Sequence, residues 1–529
     1  MKSSSFSIKT GAFCMLSIVG AAVLPTNVMA DDVTLKSADG TVNLTGELLT
    51  FEDNSYVVRT PLGDLRIAAS RVSCEGESCP VFEVADVDVQ IAGSDTVGLG
   101  LMPLLLEGYA GDIQAAATLS TGDSNKVVAE LVGDGGFGDE IGSYLVNSSG
   151  SSAAFTTLLE NEAQIGMSSR RIRPEEARAL GDAGAGNMIS PSQEHIVAVD
   201  SLVVITHPNN PIDTVSIEQL GQIYSGEITD WADLGGNPGK ISVVDRPEGS
   251  GTRSVFTNAI FGDAPEAELS APGVQIAAGN SEVAEIVNAD ENAIGFVGFA
   301  FQRGAKPLTL INECGLTVEP DAFSARTEEY ALQRRLYLYN RADVSSEQMT
   351  DFLEYATSPA ADAVIAKSGF IGLGVDRRLQ TLESDRARAL LNQNTDAFEA
   401  TFAEDMLSNM AEYDRLSTTF RFRTGSSVLD ERGLIDMQRL ATYLADEPDA
   451  DVLFVGFTDD VGAFASNLAL AEDRANQALA QFEQFMGGNG ASYTLASKGY
   501  GEIAPSGCNI SEEGRRINRR VEVWVKSAG

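Results

Sequence analysis

Over residues 87–375 strand-prone and helix-prone runs alternate, and that alternation constrains the chain more than any other feature. Val87-Asp88-Val89-Gln90-Ile91 has the character of a strand and runs into the turn Gly93-Ser94-Asp95-Thr96. Met102 to Tyr109 then shows helical apolar spacing. Ser201-Leu202-Val203-Val204-Ile205 reads as a buried strand, and Ser216 to Tyr224 as a helix capped by its own serine. Strands that alternate with helices build an α/β sheet covered on its faces, and ligands collect where strand ends feed helices.

Three polar turns stand at such strand-to-helix positions: Gly93-Ser94-Asp95-Thr96, Asn147-Ser148-Ser149-Gly150-Ser151-Ser152, and Arg246-Pro247-Glu248-Gly249-Ser250-Gly251-Thr252-Arg253. Small residues let backbone N–H groups approach an anion, hydroxyls add donors, and the positive end of a helix dipole favours the charge. One such turn is an ordinary cap. Three in one module, the last led by Arg246, point to an oxyanion site.

The chain has 529 residues, enough for three or so domains at roughly 150 residues each. Residues 1–30 read as a secretory signal, with Lys2 and Lys9 before an apolar run from Gly11 to Leu24 and Val28-Met29-Ala30 at the cleavage point. Cys14 lies inside the apolar run, which does not suit a lipoprotein cysteine. No later run is long enough for a transmembrane anchor. Residues 31–80 look like a small β module with runs at Val33-Thr34-Leu35, Val42-Asn43-Leu44, Tyr56-Val57-Val58 and Leu65-Arg66-Ile67, and turns at Asp39-Gly40 and Leu62-Gly63-Asp64. Residues 376–412 contain neither Pro nor Gly and read as a helical connector. Residues 413–527 form a last α/β unit, with strands at Phe420-Arg421-Phe422, Val452–Val455 and Val521–Val525 and helices at Glu431–Leu444 and Leu468–Phe485.

The net charge of −39 excludes nucleic acid and anionic lipid as partners, since both need a clustered positive surface. Four cysteines follow the signal. Cys74 and Cys79 bracket a tight loop and are expected to pair, while Cys314 and Cys508 lie in different modules and can pair only if those modules dock. His195 and His207, the chain's two histidines, lie far from any cysteine in sequence, so no metal site or cofactor is expected. Neither histidine has the setting of a general base, the Arg246–Thr252 turn lacks a P-loop lysine, and no enzyme is expected.

Residues 87–375 resemble the periplasmic phosphate-binding proteins, solute receptors of phosphate ABC transporters. The marks are the three turns, Ile165-Gly166-Met167-Ser168-Ser169-Arg170, Ser358-Pro359 and Lys367-Ser368-Gly369-Phe370. The resemblance implies two α/β lobes of the type II periplasmic-binding-protein fold, joined by crossing strands, with the ligand between them. It also implies that Thr96, Ser151, Arg246, Ser250 and Thr252 supply donors to the anion and that Gly251 lets backbone approach. Many members carry an Asp where this chain has Ser169, to accept the proton of phosphate. With Ser169 there as a ligand, Asp95 is the one obvious substitute acceptor; if it does not serve, sulfate is expected to compete with phosphate already in the wild type.

Residues 420–526 resemble an OmpA-like peptidoglycan-associated domain, through Gly456-Phe457-Thr458-Asp459, Gly462, Asn467, Leu470-Ala471, Arg474-Ala475, Gly499-Tyr500-Gly501-Glu502, Pro505 and Gly514-Arg515-x-x-Asn518-Arg519-Arg520-Val521-Glu522. That family binds diaminopimelate through an Asp and an Arg, which map to Asp459 and Arg474, and the chemistry fits: an Arg fork holds a carboxylate, an Asp an ammonium. Asn518, Arg519 and Arg520 are candidates to support the site, the two arginines also for wall contact. The two resemblances together imply a periplasmic, wall-tethered receptor for phosphate or a similar oxyanion, serving an ABC permease. The alternative is a structural wall protein whose receptor-like module is vestigial.

Overall fold

The computed structural model describes residues 32–527 except 38–42, 53–54, 62, 69–71, 77, 80–86, 122–124, 263–268, 313, 316–317, 319–320, 393–395, 423–432 and 488–492. The signal segment and the Asp39-Gly40 turn lie outside the described residues.

The N-terminal strands form a five-stranded antiparallel sheet, in the spatial order Gly63–Ala68, Ser55–Thr60, Asn43–Glu52, Asp32–Ser37, Val72–Glu75. Alternation along the strands turns Val33, Leu35, Tyr56 and Val58 to one buried face, and the Cys74–Cys79 disulfide closes beside it. Two hydrogen bonds tie this sheet to the next module: Tyr56 Oη donates to Thr121 O at 2.6 Å, and Thr121 Oγ1 to Val72 O at 2.7 Å.

The central module is built on one continuous sheet, eleven-stranded among the described residues. Its middle is the antiparallel pair Glu194–Thr206 and Gln333–Asn340, the two strands that cross between lobes. On one side lie Ile165–Ser168, Val89–Gly93 and Glu140–Ser148, mutually parallel, then Lys126–Val132 and Ala116–Thr121. On the other lie Ala293–Gly298, Ser242–Asp245 and Gln275–Ile276. One core runs through both lobes, joining Val89, Ile91, Leu105, Val146 and Met167 of the first to Val244, Val283, Val287 and Val297 of the second. The second lobe has a further core of Leu202, Val204, Ile223, Trp231, Phe256 and Phe296. Ser216 starts the helix Ile217–Ser225 with a capping box: its hydroxyl accepts from Gln219 N at 3.0 Å, and Gln219 Oε1 accepts from Ser216 N at 2.9 Å.

The C-terminal module is a five-stranded sheet in the order Arg377–Arg378, Tyr413–Arg421, Arg520–Lys526, Asp451–Gly456, Thr494–Gly499. The last two strands run parallel, joined by the helix Phe464–Met486. The period of two sends Val452 and Phe454 to one face and Leu453 and Val455 to the other. The stretch read as a connector covers that second face: helices Asp385–Asn392 and Ala397–Glu412 bury Ala387, Leu390, Met406 and Met410 against Leu453, Val455 and Trp524.

This module docks on the second lobe. Cys314 and Cys508 are disulfide-bonded, Arg415 pairs with Glu329 at 2.8 Å, and Arg516 with Glu328 at 3.0 Å. No helix among the described residues is long and apolar enough to cross a membrane.

Candidate functional site

The first two polar turns are pinned together by backbone. Ser149 N and Gly150 N both donate to Gly93 O, at 2.7 and 2.8 Å, and Ser94 N donates to Met167 O at 2.7 Å. Gly150 holds φ +98° to start the helix Ser151–Leu159. From the opposite lobe the helix Gly251–Phe261 points its N-terminus at the same place, capped by Ser250, whose hydroxyl accepts from Arg253 N at 3.3 Å. A Cβ on Gly251 would stand 2.2 Å from Ser151 Oγ and 2.3 Å from Ser169 Oγ. Glycine is what lets the second lobe's backbone come this close to the first.

The residues expected from sequence converge here, and the two lobes meet. Thr96 Oγ1 and Thr252 Oγ1, one from each lobe, are 3.3 Å apart, and Ser151 Oγ and Ser169 Oγ 3.1 Å. Arg246 Nη2 reaches across to Asp95 Oδ2 at 2.9 Å and also donates to Ala278 O at 3.0 Å. Arg246 is only 2% exposed, yet its Nε and Nη1 are without hydrogen-bond partners. Behind it Asp245 accepts from Arg246 N at 2.7 Å and pairs with Arg253 at 2.9 Å. Thr96, Ser151, Ser169, Ser250 and Thr252 are all buried.

Three further residues of this cleft escaped the sequence reading: Arg334, Asp200 and Asn280. Asp200 and Arg334 face each other in the crossing-strand pair and form a buried ion pair at 2.7 Å. Burial pushes the Asp200 carboxyl up and the Arg334 guanidinium down, while each partner's charge opposes the shift. Arg334 also donates to Thr252 Oγ1 at 2.7 Å and Thr96 Oγ1 at 3.3 Å. Asn280 Nδ2 donates to Thr96 Oγ1 at 3.1 Å and to Asp95 Oδ2 at 3.3 Å. The available signal was a charged residue inside an apolar strand: Asp200 interrupts the run from Ile196 to Ile205, and Arg334 stands before Leu336-Tyr337-Leu338.

In the C-terminal module, Asp459 Oδ2 accepts from Arg519 Nη1 at 2.9 Å, and Arg519 Nη2 donates to Glu512 Oε1 at 2.9 Å. Arg474 is 1% exposed, with Nη1 3.4 Å from Phe457 O and its guanidinium 5.5 Å from the Phe422 ring. Burial pushes Arg474 down to about 10, against the pull of Asp459, and Arg519 adds to the fall. Arg519 thus already pairs with Asp459, one of the two residues expected to clasp a ligand. Asn518 is buried at the end of the helix Glu512–Asn518, where its Oδ1 accepts from Ser506 N and Gly507 N. Arg520 is fully buried, donates to Glu522 Oε1 at 2.8 Å and lies 4.2 Å from the Phe457 ring. No group of three or more His, Cys, Asp or Glu suited to a metal occurs among the described residues. His195 Nε2 meets Asn340 Oδ1 at 2.8 Å, and His207 Nδ1 accepts from Asn209 N.

The PBP superfamily domain matches residues 80–360 and the OmpA family matches residues 421–519. The phosphate-binding protein PstS of Borreliella burgdorferi is 26% identical over 230 residues, covering 42% of this chain and 77% of that protein. Its namesake in Bacillus subtilis is 28% identical over 230 residues, covering 43% and 70%. Among solved structures, an ABC-type phosphate transport receptor from Vibrio cholerae aligns at 25% identity and a TM-score of 0.40, over 54% of this chain and 99% of that one.

Proposed function

Since this chain belongs to the PBP superfamily and carries an OmpA-family domain behind it, we propose that it is a periplasmic receptor for phosphate, tethered noncovalently to peptidoglycan and delivering its ligand to an ABC permease. It is a binding protein and not an enzyme.

The observation that carries the reading is Arg246. Its guanidinium is buried, with Nε and Nη1 unpartnered, in a cleft ringed by the hydroxyls of Thr96, Ser151, Ser169, Ser250 and Thr252. A chain of net charge −39 repels anions at long range, so capture has to come from local donors. Hydroxyls, backbone N–H groups at the starts of Ser151–Leu159 and Gly251–Phe261, and the unpartnered Nε and Nη1 of this guanidinium supply them. The proton that phosphate carries near neutral pH goes to Asp95, whose carboxylate replaces the one absent at Ser169.

Calorimetric titration of ligand-stripped protein with phosphate, alone and in excess sulfate, tests this. Arg246→Ala is expected to lose about 2–5 kcal/mol, roughly thirtyfold or more in affinity, and Asp95→Asn to let sulfate compete. Wild-type protein that binds neither anion would leave a wall protein with a receptor's fold and refute the receptor. For the tether, Asp459→Ala and Arg474→Ala are each expected to abolish co-sedimentation with peptidoglycan sacculi. Undiminished binding by both sinks the assignment.

A further inference from the structure

The cleft contains a second guanidinium, and its bonds set the direction of the hydroxyls around it. Arg334 is 3% exposed. Its Nε and Nη2 donate to Asp200 Oδ2 at 2.9 and 2.7 Å. The remaining bonds go to two threonines of opposite lobes: Nη1 to Thr252 Oγ1 at 2.7 Å and Nη2 to Thr96 Oγ1 at 3.3 Å. Asn280 Nδ2 donates to the same Thr96 oxygen at 3.1 Å.

A hydroxyl has one proton and two acceptor lone pairs, whereas a guanidinium has donors only. Each threonine must therefore meet Arg334 as an acceptor. On Thr96 the Asn280 amide takes the second lone pair as well, so its proton is left to be given away. At most one proton can lie in the 3.3 Å gap between Thr96 and Thr252, so at least one points into the space between the lobes. An anion entering there meets at least one hydroxyl already committed to donating.

We propose that Arg334 is a positioning residue: by donating to Thr96 and Thr252 across the lobe boundary, it leaves the threonine pair with a hydroxyl proton to give to the ligand and selects one that presents unprotonated oxygen there. Its Nε, Nη1 and Nη2 are all engaged by Asp200 and the two threonines, so Arg334 acts through hydrogen-bond polarity, and direct donation to the anion is left to Nε and Nη1 of Arg246. The placement serves this role, because Asp200 and Arg334 are directly paired on the two crossing strands and Arg334 reaches a threonine of each lobe. The inference rests on the reading of the cleft as an oxyanion site.

The experiment is phosphate calorimetry on the full chain. The variants are Thr252→Val, the charge-neutral pair Asp200→Asn with Arg334→Met, the combination of all three, and Arg334→Lys, with melting temperatures as a check on folding. The neutral pair is expected to lose at least tenfold in affinity. Thr252→Val is expected to cost clearly less in that background than in the wild type, because the hydroxyl no longer has an imposed direction. A pH series from about 6 to about 8 spans phosphate's loss of its second proton. Wild-type affinity is expected to rise along it and the neutral pair to show a flatter profile, since a released hydroxyl can accept from a protonated phosphate oxygen. Arg334→Lys keeps the charge but loses the planar fork and is expected to behave like the neutral pair. Additive losses with an unchanged pH profile would reduce Arg334 to a structural part. Full recovery by lysine would show that charge alone suffices, and it decides the matter even if the neutral pair does not fold. Wild-type protein that binds no phosphate removes the cleft reading itself, a result separate from all of these.

Discussion

Burial and one side-chain hydrogen bond decide the charge of His195. It lies in the crossing strand Glu194–Thr206, its Nε2 bonded to Asn340 Oδ1 at 2.8 Å. Burial pushes its pKa below the ordinary histidine value, and neither Asn340 nor the nearby Glu194 offsets that. With the folded value depressed, the unfolded chain binds more protons, so stability is full above about pH 6.5 and falls as pH drops toward the folded pKa. His195→Gln is expected to flatten urea-denaturation stability between about pH 5 and pH 7 while leaving the phosphate cleft intact. An unchanged pH slope would show that His195 does not carry the effect. Residues of this kind also mark where sequence reading stops. Thr96, Ser151 and Thr252 were legible because a cap or an anion turn is a local pattern of hydroxyls and glycines. Asp200 and Arg334 are 134 residues apart, and nothing in either neighbourhood names the other.

At the scale of elements, the approach of helix Gly251–Phe261 to helix Ser151–Leu159 sets how far the lobes can close. The contact has no room for a side chain at position 251, since a Cβ there would stand 2.2 Å from Ser151 Oγ. The serines can turn aside, so Gly251→Ala is expected to fold with a nearly unchanged melting temperature. Turning them removes two donors from the anion, and the expected loss in phosphate affinity is tenfold or more, about 1.4 kcal/mol. Retained affinity would mean that closure tolerates the methyl group. The capping box of Ile217–Ser225 offers a contrasting case away from the cleft. Ser216→Ala is expected to cost about 1 kcal/mol in denaturant unfolding, from one lost N-cap, with phosphate binding unaffected. That helix start was readable from sequence because its whole logic lies within four residues. The covering of the C-terminal sheet by Asp385–Asn392 and Ala397–Glu412 was not. Helix-forming composition predicts the helices but says nothing about which sheet face still needs cover.

At the scale of the whole molecule, the C-terminal module is bolted to the second lobe by two kinds of device, a disulfide and buried ion pairs. One is the Cys314–Cys508 disulfide, which closes a separation of 194 residues. Sequence left that pairing open, because it depends on docking, which is a property of surfaces far apart in the chain. The other is a buried ionic cluster. Glu329 pairs with Arg415, Arg415 Nε lies 3.0 Å from Glu522, and Glu522 is also held by Arg386 and Arg520. Burial pushes Glu329 up, yet Arg415 outweighs it and holds the carboxyl down at about 2. A depressed carboxylate stabilises the docked form above its unfolded value near 4.5, and that contribution drains away as pH falls through the folded value. Removing one partner of a buried pair strands the other charge and costs about 3–5 kcal/mol. Either device alone is therefore expected to keep the modules together. Cys314→Ser with Cys508→Ser, at neutral pH, is expected to melt still as a docked unit. Glu329→Ala with the disulfide intact is expected to stay tethered, with a lower melting temperature. Combined, the substitutions are expected to split the calorimetric trace into separate transitions for the two modules. Acidifying the disulfide-free variant from about pH 5 toward pH 3 is expected to begin the same separation without further substitution, and adding Glu329→Gln to that variant should weaken the pH dependence. A single unchanged transition in the combined variant would show that the interface is held by apolar packing and not by these charges.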